Sequence, residues 1–153
     1  MNGIRLSLVQ FTNINLNVSS FDIAVTEELN ADHFSVRCLH NDHDSKAFGI
    51  FFEIHLTNPK KEFNLLLHAT AHFETDTPYD KQFLNSDFVK INAPAIAFPY
   101  IRSFISNLTL NSGYRPVILP TYNFIEMNRI KEQQEKSQRQ AKKTPKSKKV
   151  KTN

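Results

Sequence analysis

Hydrophobic and polar positions alternate in four stretches of the first half of the chain, a pattern typical of β-strands with one buried face. The clearest stretch is 47–57, and the turn sequence 58–61 separates it from a similar stretch at 63–73. Residues 33–39 predict another strand, and the polar run 40–46 predicts a turn before the next one.

The first strand, within residues 4–18, shows a change of phase. Hydrophobic residues occur at the even positions 4, 6 and 8, then at 9 and 11, and again at 14, 16 and 18. One extra residue in a strand moves the hydrophobic set to the other phase, so we predict a β-bulge near Gln10.

The second half of the chain has a helical period. Hydrophobic residues recur every three or four positions from Ala97 to Leu108, and Asn92 and Pro94 are typical of a helix start. Pro99 should bend this helix, and Gly113 should end it in the left-handed region. Residues 75–91, which are mostly polar, predict a short helix.

The hydrophobic connection 114–124 leads into a second helix, which Asn123 and Glu126 open in the spacing of a capping box. Strands first and helices afterwards indicate an α+β fold. We therefore expect a four-stranded antiparallel sheet, its strands joined by short turns, followed by two helices and a long crossover loop between them.

Composition limits the function classes. The chain has 153 residues, three glycines and one cysteine, so it has neither a disulfide framework nor material for a glycine-rich phosphate loop. Cys38 is predicted to be a small buried hydrophobic residue. No membrane span or signal peptide is recognisable, which predicts a cytoplasmic protein. No nucleophile motif is present, and an enzyme or a cofactor is not expected.

Histidines are the remaining candidates for chemistry. His40 and His43 lie in a polar turn, and His68 and His72 share one face of a strand. Either pair could bind a metal, but a solvated turn and a water-facing sheet surface explain them better, so no metal site is predicted.

Positive charge is concentrated at the C-terminus. Residues 131–153 hold nine Lys or Arg and two acids, a balance of +7, against −3 for 1–130, which together give the +4 of the chain. Residues 140–153 are predicted to be a disordered Lys-rich tail after a domain at 1–139. Tail contacts to nucleic acid or anionic lipid are less favoured than simple solubility, because no aromatic residues are interspersed.

Residues 92–124 resemble the signature of the SecB family of bacterial protein-export chaperones. The matching positions are Pro94, Ile96, Phe98, Pro99, Tyr100, Arg102, Ile105, Ser106, Gly113, Pro116, Leu119, Pro120, Asn123 and Phe124. The resemblance implies the sheet and helices expected above, and a homotetramer built as a dimer of dimers. It also implies an ATP-independent holdase that binds unfolded precursor polypeptides in a hydrophobic groove.

The resemblance assigns residues to two surfaces. Those expected to line the client groove are Tyr114, Val117, Leu119, Tyr122, Phe124 and Met127. Those expected at the oligomer interface are Leu65, Leu67, Ala69, Tyr100 and Phe104. For each groove residue, packing in the core is an equally good interpretation.

Two departures from the family pattern bear on the partners. In the family, acidic residues on the exposed sheet face engage the translocase ATPase SecA. Here the fourth-strand pattern has Leu66 in place of its glutamate and Ala71 in place of its glycine. On the first strand, Asn13, Asn15 and Asn17 occupy the outer face, and none is acidic. The tail is basic where the family's is acidic. An alternative is therefore a SecB-like chaperone of a toxin–antitoxin system that stabilises an antitoxin. An alternative from another class is a nucleic-acid-associated protein acting through the tail.

Overall fold

The computed structural model describes residues 3–19, 30–41 and 44–143. Its main elements are the strands β1 (Ile4–Val18), β2 (Asn30–Asn41), β3 (Asp44–Thr57) and β4 (Phe63–Thr75), and the helices α1 (Ala93–Asn111) and α2 (Phe124–Lys143). A 3-10 turn at Phe83–Asn85 and a π-helical turn at Phe88–Asn92 precede α1. The chain divides into two compact units, residues 1–122 and 123–153.

All four strands form one antiparallel sheet in the order β1-β4-β3-β2, which confirms the α+β prediction. Short turns join β2, β3 and β4, as expected. β1 and β2 instead lie at opposite edges, so the expectation of a short turn between them is wrong. Most of the segment that connects them lies outside the described residues.

β1 contains two bulges rather than the single one expected near Gln10. The register with β4 shifts between Leu6 and Leu8 and again between Phe11 and Asn13, whereas Gln10 pairs regularly with Thr70. Each extra residue reverses the alternation once. Two reversals place Ile4, Val9 and Ile14 on the same face.

The inner face of the sheet forms the core. Its fully buried members on β3 and β4 are Phe48, Ile50, Phe52, Ile54, Leu56, Phe63, Leu65, Leu67, Ala69, Ala71 and Phe73. α1 packs on this face, since Phe104 stacks on Phe11 of β1 with ring centroids 3.7 Å apart and Phe98 meets Phe34 of β2 edge-on at 5.8 Å. The outer face carries the alternate residues of all four strands.

α1 begins differently from the prediction and ends as predicted. Asn92 has helical dihedrals and caps nothing with its side chain, because the π-helical turn 88–92 continues directly into the helix. Pro99 lies inside α1. Gly113 has a φ of 86°, the left-handed conformation that stops the helix.

Two short turns connect β2 to β3 and β3 to β4. The β2–β3 turn is shorter than predicted, since the strands reach Asn41 and resume at Asp44. Between β3 and β4, the Asn58 side chain accepts a hydrogen bond from the Phe63 N–H at 2.9 Å, and Lys61 has a φ of 56°. A left-handed non-glycine residue costs about 1–2 kcal/mol.

α2 opens with half of the predicted capping box. Asn123 Oδ1 accepts a hydrogen bond from the Glu126 N–H at 3.2 Å, but the Glu126 carboxylate binds Arg129 at 2.6 Å. The helix runs to Lys143, so residues 140–143 of the predicted tail are helical, and 144–153 lie outside the described residues. Neither described helix is long and apolar enough to cross a membrane.

Candidate functional site

The crossover segment 114–122 is partly fixed to α1 and partly open. Val117 and Leu119 are each only 2% exposed, whereas Ile118 between them is 68% exposed. The buried Thr109 hydroxyl of α1 accepts a hydrogen bond from the Val117 N–H at 2.9 Å. One side of the segment therefore belongs to the core, and the other faces solvent.

Tyr122 ends this segment in a cluster of aromatic rings. It stacks on Phe34 of β2 with centroids 4.2 Å apart and an interplanar angle of 12°, and it meets Phe98 of α1 edge-on at 5.1 Å. Phe98 is buried, while Phe34 and Tyr122 are half-buried. Burial also raises the pKa of the Tyr122 phenol. We call Phe34, Phe98 and Tyr122 the aromatic cluster.

The edge strand β2 extends this apolar surface. Val36 and Cys38 lie on the same face as Phe34 and are half-buried. Partial burial raises the pKa of the Cys38 thiol, which donates weakly to the Leu39 carbonyl at 3.8 Å. Cys38 is thus less buried than predicted, because β2 is a sheet edge.

The predicted groove residues fall into different environments. Tyr122 lies in the aromatic cluster and Tyr114 is half-buried, whereas the burial of Val117 and Leu119 leaves them unavailable to a client without a local opening. In the second unit, Phe124 is buried and Met127 half-buried. Sequence reasoning missed Phe34 as a site residue, since its alternation alone indicates only an ordinary inner-face position.

Three of the predicted interface residues are corrected by burial. Leu65, Leu67 and Ala69 have no exposed surface, because they lie on the inner face of a central strand, so they offer nothing to a partner subunit. Phe104 is half-buried against Phe11. Tyr100 is 58% exposed and shares α1 with the other exposed hydrophobic residues Ile96 and Leu110.

The outer face of the sheet is close to electrically neutral. Its strand residues include the acids Asp32, Glu53 and Glu74 and the bases Arg5 and Arg37, so the acids outnumber the bases by one. Arg5 binds Glu74 at 2.6 Å, and the Arg37 guanidinium lies 4.4 Å from the centre of the Phe51 ring.

Several positions singled out from the sequence lie on this face. Asn13, Asn15 and Asn17 are there, as are Leu66, His68 and His72, while Ala71 is a buried inner-face residue. The positions where the family pattern predicts acidic docking residues, Leu66 and the three Asn residues, therefore all lie on the outer face of the sheet.

A single four-stranded sheet, a long helix, a partly open crossover and a second helix place the chain among α+β proteins of the SecB-like fold. The family model described as preprotein translocase subunit SecB matches residues 33–135. The chain belongs to the SecB family.

Individual relatives match over shorter segments. An uncharacterized protein of Methanocaldococcus jannaschii, MJ0357, is 50% identical over 40 residues, which is 26% of each chain. The protein-export protein SecB of Magnetococcus marinus is 40% identical over 48 residues, 31% of each chain. These alignments span less than a third of the length of the curated relatives.

A solved structure supports the fold over a longer range. The Mycobacterium tuberculosis Rv1957 SecB-like chaperone, in complex with a ChAD peptide from the Rv1956 HigA1 antitoxin, superposes with a TM-score of 0.62. The superposition covers 78% of this chain and 90% of that one at 17% sequence identity, which establishes similarity of fold.

Proposed function

We propose that this protein is an ATP-independent holdase chaperone that keeps unfolded precursor polypeptides competent for export. The observation that carries the proposal is the aromatic cluster, where two half-buried rings lie over a buried one beside β2, the edge strand of the sheet among the described residues. Membership of the SecB family supports the same function.

The chemistry of the cluster suits clients without a fixed shape. An unfolded segment presents hydrophobic side chains, and their burial contributes about 25 cal/mol per Å². Stacked and edge-on ring surfaces accept aromatic or aliphatic side chains without demanding one sequence, which favours promiscuous binding. Tyr114 extends the proposed client surface in the first unit. In the second unit, considered by itself, Met127 is a proposed client-binding residue, whereas buried Phe124 would need a local opening, as Val117 and Leu119 would.

The working form we propose is a cytoplasmic homotetramer that hands its clients to a partner. Ile96, Tyr100 and Leu110 leave an exposed hydrophobic stripe on α1, which association would cover. The neutral outer face argues against a docking mode that depends on an acidic surface, so engagement of SecA would need other contacts.

Tyr122→Asp tests the client surface. A carboxylate placed against apolar rings should lower affinity for an unfolded client about tenfold or more, because the charge loses its water without gaining a partner. Light scattering of a reduced, aggregating model protein, with and without the variant, measures the loss.

Tyr122→Phe is the matched control, since it keeps the ring and should suppress aggregation as the parent protein does. Equal suppression by Tyr122→Asp, with its mass in solution unchanged, would refute the assignment of the aromatic cluster as the client surface.

A toxin–antitoxin chaperone is the second candidate. The similar M. tuberculosis structure contains an antitoxin peptide, and the neutral outer face fits a role without SecA. Toxin and antitoxin genes beside the coding sequence, and antitoxin that accumulates only when this protein is co-expressed, are expected under this alternative. Their absence, together with faster precursor export, would favour the export role.

A further inference from the structure

A β-bulge brings two consecutive polar residues of β2 to the outer face. Ala31 pairs with Leu56 and His33 with His55, so Asp32 is the extra residue between them. The Asp32 carboxylate accepts a hydrogen bond from the Thr57 hydroxyl at 2.7 Å. Bulges commonly re-aim side chains in this way, and here Asp32 contacts Thr57 while His33 lies opposite His55.

Glu53 completes a group of four side chains at this edge of the sheet. It precedes His55 by two positions on β3, so both project from the outer face. Its Oε1 atom lies 3.9 Å from His33 Nε2. Two ligands of one tetrahedral zinc ion, each about 2.0–2.1 Å from the metal, are separated by about 3.3 Å, which is close to this spacing.

His55 already has the kind of support that metal-binding histidines use. In the tautomer protonated at Nε2, the ring donates a hydrogen bond to the Asn64 side-chain oxygen, 3.3 Å away. The lone pair is then on Nδ1, and the ring is held in place by a second residue. Asp32 is held in a similar way by Thr57.

We propose that His33, Glu53 and His55 bind a divalent transition metal of the zinc class, with Asp32 as a fourth ligand or as the acceptor of a metal-bound water. Two imidazoles with carboxylates favour such ions over calcium or magnesium, which prefer all-oxygen sites. Among the described residues no three potential ligands surround one point, so ligation requires the His33 and Glu53 side chains to rotate towards His55, which keeps its contact with Asn64. The side chains of His33 and Glu53 are 53% and 37% exposed, which leaves room for that movement.

This site lies on the face opposite the aromatic cluster and does not depend on the proposed chaperone function. The metal-stripped full chain, titrated with Zn²⁺ by calorimetry, is expected to bind one ion per chain. Titration with Co²⁺ should give the visible absorption bands of four-coordinate cobalt, a readout independent of chaperone activity.

Three variants test the ligand assignment. His33→Ala, His55→Ala and the isosteric Glu53→Gln should each weaken binding at least tenfold. His72→Ala is the matched control, because His72 shares the outer face but lies opposite Leu8 and Gly49, away from the group. It should bind the metal as the parent chain does.

The proposal is overturned if the parent chain shows no saturable binding, or if His33→Ala and Glu53→Gln bind as tightly as His72→Ala. Circular dichroism establishes that each variant is folded. If His55→Ala fails this check because the bond to Asn64 is lost, His33→Ala and Glu53→Gln decide the question.

Discussion

Lys61 is a single residue whose backbone conformation conflicts with its side chain. Its φ of 56° places it in the left-handed region, within a turn that also relies on the bond from the Phe63 N–H to Asn58. Glycine adopts this conformation without the Cβ penalty. The strain is local, so it can be relieved without changing the rest of the hairpin.

Lys61→Gly should therefore raise the free energy of unfolding, by about 0.5–1 kcal/mol once the greater flexibility of the unfolded glycine chain is subtracted from the relieved strain. Urea denaturation measures the change. Lys60→Gly, at a residue with ordinary negative φ, is the control and should destabilise. A lower stability for Lys61→Gly would contradict the interpretation.

Thr109 joins α1 to the crossover segment through one hydroxyl. It is fully buried, accepts the Val117 N–H at 2.9 Å and donates to a carbonyl of its own helix, that of Ile105 at 3.0 Å or Ser106 at 3.1 Å. Thr109→Val keeps the shape but leaves the buried Val117 N–H without an acceptor. We expect a loss of about 1–3 kcal/mol in the free energy of unfolding, measured by chemical denaturation.

Thr109→Ser separates the hydroxyl from the methyl group at the same position. It keeps the acceptor and removes one methyl, a loss of about 0.8 kcal/mol. If Thr109→Val proves no more destabilising than Thr109→Ser, the hydrogen bond to Val117 does not stabilise the crossover.

At the scale of elements, the sequence predicted which strands and helices exist better than it predicted the residues at which they begin and end. Alternation located all four strands, and Gly113 marked the end of α1, because both signals are local properties of the backbone. The prediction that Asn92 caps α1 was wrong. An asparagine that caps a helix and one that belongs to a preceding π-helical turn cannot be distinguished from the sequence alone. The change of phase in β1 indicated an irregular strand, but the number and positions of its two bulges are set by the pairing with β4.

The candidate site was only partly predictable for a related reason. Tyr122 follows from a hydrophobic connection that has to pack on something. Phe34 becomes a site residue only because β2 is an edge strand, and strand order is a long-range property. Leu65, Leu67 and Ala69 were misassigned since one apolar face of a strand can be either core or interface until the helix that covers it is known.

The first turn of α2 contains an ion pair that can be titrated. The hydrogen bond from Arg129 lowers the pKa of Glu126 from its ordinary value near 4.5. A lowered pKa in the folded chain means that the pair stabilises above that ordinary value, and that its contribution is lost as the pH falls through the lowered one. Because both groups are solvent-exposed, the contribution is small.

Arg129→Gln should raise the pKa of Glu126 towards the ordinary value, since it removes both the hydrogen bond and the charge. An NMR titration of the Glu126 carboxyl carbon measures this directly. Lys131→Gln, which removes a nearby charge that is not bonded to Glu126, should leave the pKa almost unchanged. Equal shifts in the two variants would mean that general charge, rather than the bond, sets the value.

At the scale of the whole molecule, the exposed stripe on α1 is the surface that most needs a partner. Tyr100→Asp places a charge at its centre and should shift the mass in solution from the proposed tetramer to a smaller species, measured by light scattering coupled to gel filtration. Asn85→Asp adds the same charge at an exposed position outside α1 and should not change the mass. A parent protein that is monomeric, or an unchanged mass for Tyr100→Asp, would contradict the proposed assembly.

The position of β1 beside β4 has a consequence for synthesis on the ribosome. Ile4 pairs with Thr75, so β1 leaves the ribosome well before β4, the strand with which it pairs. During that interval its backbone hydrogen-bonding groups and apolar residues have no native partner, which exposes the nascent chain to misassociation. Such non-local pairing also slows folding. A protein proposed to shield unfinished chains thus passes through the same vulnerable stage itself.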